Sequence, residues 1–343
     1  MSRLALAAFA LAVAPQAPGQ EAAPKDPAES PAVIAPLAVR SLLLDVAWAG
    51  NHIVAAGERG HILHSENAGL TWTQVPVPAS ANLTALCFAD EKNGWAVGHV
   101  ETIVRTRDGG ESWDLVHFEP ASPQPLLDVA CADANRGVAV GAYGVVYVTT
   151  DGGSVWSQVP FEPEALPGAE SVEPADEMEA DVDLGFEFHL NAIARAGPGR
   201  LYIGAEAGRL FRSDDDGASW RELPSPYDGS FHGILPLDGD AVLAFGLRGN
   251  LFRSEDGGAT WAQLQTGTTA LLDGGARIDA DTVVVVGMAG VILVSRDGGR
   301  SFTLHQQDDR KALAAVAASG DGALIVAGEG GVRRLPLPGS PAP

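Results

Sequence analysis

Cysteine is almost missing from this 343-residue chain: Cys87 and Cys131 are the only two. So few exclude a disulfide-dense scaffold and a zinc site built on thiolates. Cations are scarce too. Twenty-two Lys and Arg face 44 Asp and Glu, a formal net charge of −22, and without a positive field bulk electrostatics disfavours nucleic acid or anionic lipid as partner. Beyond the first residues no apolar run is long enough for a transmembrane helix. No His-Glu-x-x-His, Gly-x-Ser-x-Gly or phosphate-cradling Gly-x-x-x-x-Gly-Lys occurs.

What is abundant is glycine, 41 residues without a collagen-like period, which points to many tight turns between short strands. Arg3, an apolar run over 4–14 and a Pro/Ala/Gly/Gln stretch have the layout of a secretory signal. The expected organisation is a signal peptide over 1–19, a flexible Pro/Ala-rich linker over 20–35, one β domain over 36–335 and a disordered tail over 336–343. The expected location is periplasmic or secreted.

An internal repeat sets the fold. Ser65-Glu-Asn-Ala-Gly-Leu-Thr-Trp72, Thr106-Arg-Asp-Gly-Gly-Glu-Ser-Trp113 and Thr149-Thr-Asp-Gly-Gly-Ser-Val-Trp156 align with Ser213-Asp-Asp-Asp-Gly-Ala-Ser-Trp220, Ser254-Glu-Asp-Gly-Gly-Ala-Thr-Trp261 and Ser295-Arg-Asp-Gly-Gly-Arg-Ser-Phe302. The terminal aromatics lie 41, 43, 64, 41 and 41 residues apart, a unit of about forty residues with one insertion. Upstream of each is a Gly-x-x-Gly step, as in Gly57-Glu-Arg-Gly60, with Gly98-His-Val-Glu101 and Ala205-Glu-Ala-Gly208 as degenerate copies, and a further copy, Gly328-Glu-Gly-Gly331, marks a seventh unit. Each unit reads as four short strands, with the Gly-x-x-Gly step between the second and third and the Asp box between the third and fourth. Repeated about an axis, such units make an all-β, seven-bladed β-propeller of four-stranded blades. Since the last unit ends before a Pro-rich tail, the N-terminal strand is expected to close the last blade.

The box residues Asp108, Asp151, Asp215, Asp256 and Asp297, with Trp72, Trp113, Trp156, Trp220 and Trp261, recur once per unit. A turn needs that recurrence and an active site does not, so they read as structural. The turns between second and third strands should ring one mouth of the central channel, presenting Arg59, His99, Tyr143, Glu206, Arg248, Met288 and Glu329 as candidate partner-binding residues. His61 and His64, three apart on a strand, point to opposite faces, so no metal site is expected, nor any cofactor. Cys87 and Cys131 fall on neighbouring inner strands with a one-residue offset and read as small buried apolar groups in preference to a disulfide. The insertion over 161–187 has no Lys or Arg and is strongly acidic; a solubilising flap, a lid for a basic partner and a weak calcium site remain open.

The boxes together with Asn93-Gly-Trp-Ala-Val-Gly98 and Phe88-Ala-Asp90 resemble the photosystem II stability and assembly factor-like propellers. The resemblance spans about residues 36–335. It implies a chaperone-like, non-enzymatic binding and assembly scaffold in the cell envelope, a monomer whose partner is a membrane protein or its exported segment. An accessory role for an envelope transporter or export system is the alternative. A sialidase-type or glucanase-type glycoside hydrolase is the less favoured one, because no Arg-Ile-Pro motif occurs and the four tyrosines, Tyr143, Tyr147, Tyr202 and Tyr227, do not fit a sialidase set. Family members bind through an arginine-rich patch, whereas the arginines here are dispersed and Arg105, Arg212 and Arg253 stand in strands just before boxes.

Overall fold

A computed structural model describes residues 30–122, 124–166 and 188–339. It forms seven antiparallel sheets arranged as the blades of a propeller, six with four strands and the last with three. The blades span residues 43–75, 83–117, 126–158, 190–222, 231–263, 272–306 and 313–336. In each, the first strand is innermost and packs against the first strands of the blades on either side.

Six of the seven second strands are wholly buried, for example Gly94–Gly98, Gly137–Gly141 and Val283–Gly287, and that of blade 1 is buried after His52. They lie between a neighbour within the sheet on each side and a neighbouring blade on each face, which is why they read as unbroken apolar runs instead of alternating ones. Hydrophobic clusters accordingly sit between blades, as in Val97, Leu126, Val129, Trp95 and Trp156, which join blades 2 and 3. The Trp95 and Trp156 rings meet edge to face at 5.7 Å.

Every inner strand carries a register shift near its start, between Leu43 and Asp45 in blade 1 and at the matching place in the other six. The extra residue bends the strand. Opposite the shift, in every blade but the fourth, stands the glycine that ends the second strand. A Cβ on Gly57 would come 2.3 Å from the Leu42 carbonyl oxygen, and one on Gly287 2.0 Å from that of Leu271. These glycines have extended φ, so close backbone approach is what requires them.

Two expectations need correction. The last blade has no N-terminal strand: its sheet is Leu313–Ala318, Ala323–Gly328 and Arg333–Pro336. The N-terminal segment runs first along the outside of blade 1, where Ala32 N–H donates to Val77 O at 2.9 Å and Gln74 clasps the backbone of Val33 and Ala35, and then touches blade 7 through Val332 N–H donating to Val39 O at 3.2 Å without adding a strand. The ring closes by face packing of blade 7 on blade 1, through Leu43, Ile53, Leu63, Ile325 and Ala327. Trp48 Nε1 adds a hydrogen bond to Ala318 O at 2.8 Å. Burying those apolar faces leaves no need for a shared strand. Ordered contacts also run past the expected ends, since Ala32 and Leu337 are buried.

Cys87 and Cys131 form a disulfide, with Cα atoms 5.8 Å apart. The offset that places them on opposite faces is real, because Cys131 pairs with Gly137 while Cys87 pairs with Trp95 rather than Gly94. Opposite faces are what meet here: blades stack face to face, so the front of blade 2 touches the back of blade 3. The bridge closes a 44-residue separation, which in chain-entropy terms is worth about 4 kcal/mol. Replacing both residues by alanine is expected to lower unfolding stability by roughly 2–4 kcal/mol in a denaturant titration; an unchanged midpoint would mean that the apolar packing between blades 2 and 3 suffices.

Candidate functional site: the channel and its rim

Each second-to-third-strand turn is tight and lies on the face where the inner strands begin, four of them as 3-10 turns, as shown by Glu58 N–H donating to Leu42 O and Ala142 N–H to Pro125 O. Its second central residue is left-handed in six blades: Arg59, Val100, Tyr143, Ala207, Arg248 and Ala289 have φ between 53 and 59°. That recurrence marks this as the repeat's architecture, not strain confined to one site.

Of the candidate rim residues, Arg59, His99, Tyr143, Arg248, Met288 and Glu329 are exposed and Glu206 is half-buried. Two are also engaged in holding the inner strands. Glu206 Oε2 accepts from His189 N–H, and Glu329 Oε2 from Ala312 N–H, each at 3.0 Å. Tyr143 is 55 % exposed and Met288 46 %, so both present apolar surface that none of the described residues covers. The Tyr143 ring meets His189 edge to face at 4.7 Å.

Inside the rim lies a cavity of about 520 Å³ lined by residues from the inner strands. All seven residues displaced by the register shifts line it: Leu44, Thr84, Leu127, Asn191, His232, Asp273 and Ala314. Only Glu206 of the candidate rim residues does so. The lining is acidic, with Asp45, Asp128, Glu206 and Asp273 beside His189 and His232.

Several of these side chains stitch neighbouring blades together. Asp45 Oδ2 accepts from Leu86 N–H and Asp128 Oδ2 from Ile193 N–H, both at 2.7 Å. Thr84 Oγ1 donates to Leu126 O and Asn191 Nδ2 to Phe231 O. Burial nevertheless raises the Asp45 carboxyl to about 6 and that of Asp128 to about 7, the latter also feeling the charge of Asp45. Asp273, raised to about 6 by burial and by Asp45, accepts no such backbone bond among the described residues; the His232 imidazole, which burial holds toward its neutral form, lies 4.0 Å away.

The Asp boxes are turns, as their recurrence requires. Asp108 Oδ1 accepts from Thr106 Oγ1 and Ser112 N–H, while Trp113 Nε1 donates to Gly110 O. Burial alone would raise the Asp108 carboxyl, but the bonds from Ser112 and Thr106 outweigh it and hold it below its ordinary value. Asp215 and Asp297 follow the same pattern. Asp256 is held at about 2, first by the Thr260 hydroxyl and backbone.

One Tyr–Glu pair does exist. Tyr147 Oη donates to Glu101 Oε2 at 2.6 Å, Ser122 Oγ donates to the other carboxylate oxygen, and His117 lies 3.7 Å away. Glu101 and Tyr147 are both buried. Burial and then Glu101 push the phenol upward, the reverse of what a tyrosine nucleophile needs. His61 and His64 do not come together: His61 Nδ1 bonds to Ser41 Oγ, and His64 turns to His52. The acidic insertion is rooted in blade 4, where Glu164 bridges to Arg221 and Phe161 packs on Phe211. Its residues 167–187, with most of its carboxylates, lie outside the described residues.

Residues 70–182 match the family described as photosynthesis system II assembly factor YCF48. The matched stretch, a third of the chain, is similar to the photosystem II assembly factor-like family. The chloroplastic photosystem II stability/assembly factor HCF136 of Cyanidioschyzon merolae is 42 % identical over 53 residues, 15 % of this chain and 12 % of that protein. The photosystem II assembly protein Ycf48 of Thermosynechococcus vestitus is 37 % identical over 43 residues, 12 % of each. The matches thus span about an eighth of the curated relatives' length.

Solved structures extend the likeness in fold to most of the chain. YCF48 from Cyanidioschyzon merolae superposes with a TM-score of 0.66 at 18 % identity, over 87 % of this chain and 96 % of that one. YCF48 bound to D1 peptide gives 0.65 at 17 %, over 87 % and 94 %. The WD40 propeller domain of Doa1 gives 0.61 at 10 %, over 86 % and 92 %, so the shape is shared well beyond the family.

Of the channel carboxylates only Glu206 was singled out in the sequence. A usable signal was there, an acid at the second or third residue of three inner strands: Asp45, Asp128 and Asp273. Asp273 allows a test. A carboxyl raised from 3.8 to about 6 on folding contributes stability below pH 4 that is lost as the pH rises through 6. Asp273→Asn should therefore leave stability near pH 4 unchanged and raise it at pH 8. The expected gain is about 1 kcal/mol, discounted because the side chain keeps 37 % of its exposure. The same gain at both pH values would show that ionisation is not its source.

Proposed function

We propose that this chain is a non-enzymatic binding scaffold that assists assembly or stability of a membrane protein complex by receiving an exported segment of one component at the channel mouth. The observation that carries the reading is the pairing of surfaces there: exposed Arg59, Tyr143, Arg248 and Met288 surround an acid-lined cavity of about 520 Å³. Aromatic and arginine side chains are frequent interface anchors, and the carboxylates inside favour a segment carrying cations or hydrogen-bond donors. The D1 peptide named with a YCF48 structure of the same fold supports a polypeptide ligand.

The enclosed Tyr147–Glu101 pair and the turn-bound box aspartates fit a protein that does no hydrolysis. An exported setting, periplasmic or extracellular, agrees with the Cys87–Cys131 disulfide, since such bonds persist in oxidising compartments. A photo-reactive amino acid placed at Tyr143, on the rim, or at Ser112, in an Asp box on the opposite face, tests the reading in the native envelope. Cross-links to a membrane protein are expected from position 143 and not from 112, and Arg59→Ala with Arg248→Ala should weaken them severalfold. Equal cross-linking from both faces would move the partner off the mouth.

A further inference from the structure

The Asp boxes point outward on the face opposite the rim, and there one blade departs from the others. In blade 4 the side chains Arg200, Arg212 and Asp214 form a cluster: both guanidinium groups bond to Asp214 Oδ1, at 3.1 Å and 2.6 Å. Leu201 pairs with Ser213 in that sheet, as Ile53 pairs with Ser65 in blade 1. By this register Arg200, Arg212 and Asp214 correspond to His52, His64 and Glu66. The carboxylate is kept while both arginines become histidines.

Elsewhere the arginine before the box has a further task. Arg105, Arg212 and Arg253 each donate Nη1 to the carbonyl of the first box glycine in the next blade, Gly152, Gly257 and Gly298. An imidazole at position 64 is too short to reproduce that reach, and His64 turns to its own blade. His52 Nδ1 and His64 Nε2 lie 2.8 Å apart, so at least one of the two rings is neutral, with a lone pair aimed at the other. One ligand atom each from His52, His64 and Glu66 lies within 4.8 Å of the others. A tetrahedral zinc site needs such atoms about 3.3 Å apart, given Zn–N bonds of about 2.0–2.1 Å, a change within reach of small side-chain rotations.

The surroundings complete a donor set. His64 is 7 % exposed, which holds its ring in place, while His52 and Glu66 reach solvent and leave an entry path. Glu111, from the Asp box of blade 2, lines the pocket of about 340 Å³ that contains His64 and Glu66, and also the pocket beside His52. Together with Asp108 it acts electrostatically on His64. Two imidazoles and a carboxylate, with a second carboxylate at the fourth position, suit a borderline divalent ion and not Ca²⁺ or Mg²⁺, which prefer all-oxygen cages.

We propose that His52, His64 and Glu66, joined by Glu111 of the neighbouring blade, bind a transition-metal dication of the Zn²⁺ type. The ion takes the place of the two guanidinium charges present in blade 4 and ties blade 1 to blade 2, next to the seam where the ring closes. This site is independent of the channel mouth.

Titration calorimetry of the whole chain with ZnCl₂ is expected to show one equivalent bound and a raised melting temperature, with no comparable binding of CaCl₂ or MgCl₂. CoCl₂ should give the visible absorption of a four-coordinate site. The double change His52→Arg with His64→Arg rewrites the blade 4 arrangement into blade 1, so the fold should survive; zinc affinity should fall by at least about tenfold and the cobalt band should vanish. Absence of zinc binding by the unaltered chain, or unchanged affinity in the folded double variant, would overturn the assignment.

Discussion

The constraint on which this structure turns is the close approach at the start of each inner strand. A second strand ends in glycine, the carbonyl before the inner strand comes to where a Cβ would be, and the inner strand takes up one extra residue. Gly98, Gly141, Gly246 and Gly328 repeat the contact with Asn82, Pro125, Ser230 and Ala312. Blade 4 is the exception, with Ala205 at this place. Two consequences follow from the one contact. The turn after the glycine is carried to the rim, and the displaced residue is turned into the channel. Rim and lining are therefore set by the same backbone feature, but by different positions in the sequence.

That arrangement explains why the channel can be acidic in a fold that must also be stable. Buried carboxylates are costly unless hydrogen-bonded. Asp45 and Asp128 meet the cost by accepting backbone N–H groups from their own and the following blade. The same bonds hold adjacent inner strands at fixed spacing, so the polar lining belongs to the scaffold. Burial still outweighs the hydrogen bonds in raising both carboxyls. The mouth thus keeps unmet capacity for positive charge or hydrogen-bond donors.

How much was legible in the sequence varies with the physics involved. The Asp box and its aromatic are local: a hydroxyl, a carboxylate and a glycine within four residues make one turn, so the repeat announced both the turn and the period. The rim residues follow from that period by counting. The lining does not, because a one-residue bulge moves every later side chain to the other face, and no composition signal marks where the extra residue enters. The Cys87–Cys131 bridge failed for a related reason: a face rule that holds within one sheet was applied across two stacked ones. Closure of the ring was misread because strand count says nothing about whether blade 7 and blade 1 bury enough apolar surface to hold without a shared strand. His52 and His64 are twelve residues apart, a cross-strand relation that a search along one strand does not see.

In a molecule made of seven copies, the repeated features are those the fold needs, and function is best sought where a copy departs. Blade 2 replaces the turn glycine by Glu101, buries it, and satisfies it with Tyr147, Ser122 and a neighbouring histidine. There the departure is absorbed inward and becomes packing. Blade 1 carries Asn67 where five other boxes have aspartate, and Asn67 still caps the turn by accepting from Thr71 N–H at 2.9 Å. The turn survives without its charge, while Glu66 stays exposed and His52 reaches solvent beside the buried His64. A substitution that the fold neither needs nor absorbs leaves chemistry at the surface, and on this face of the propeller that combination falls at the seam between blades 1 and 2.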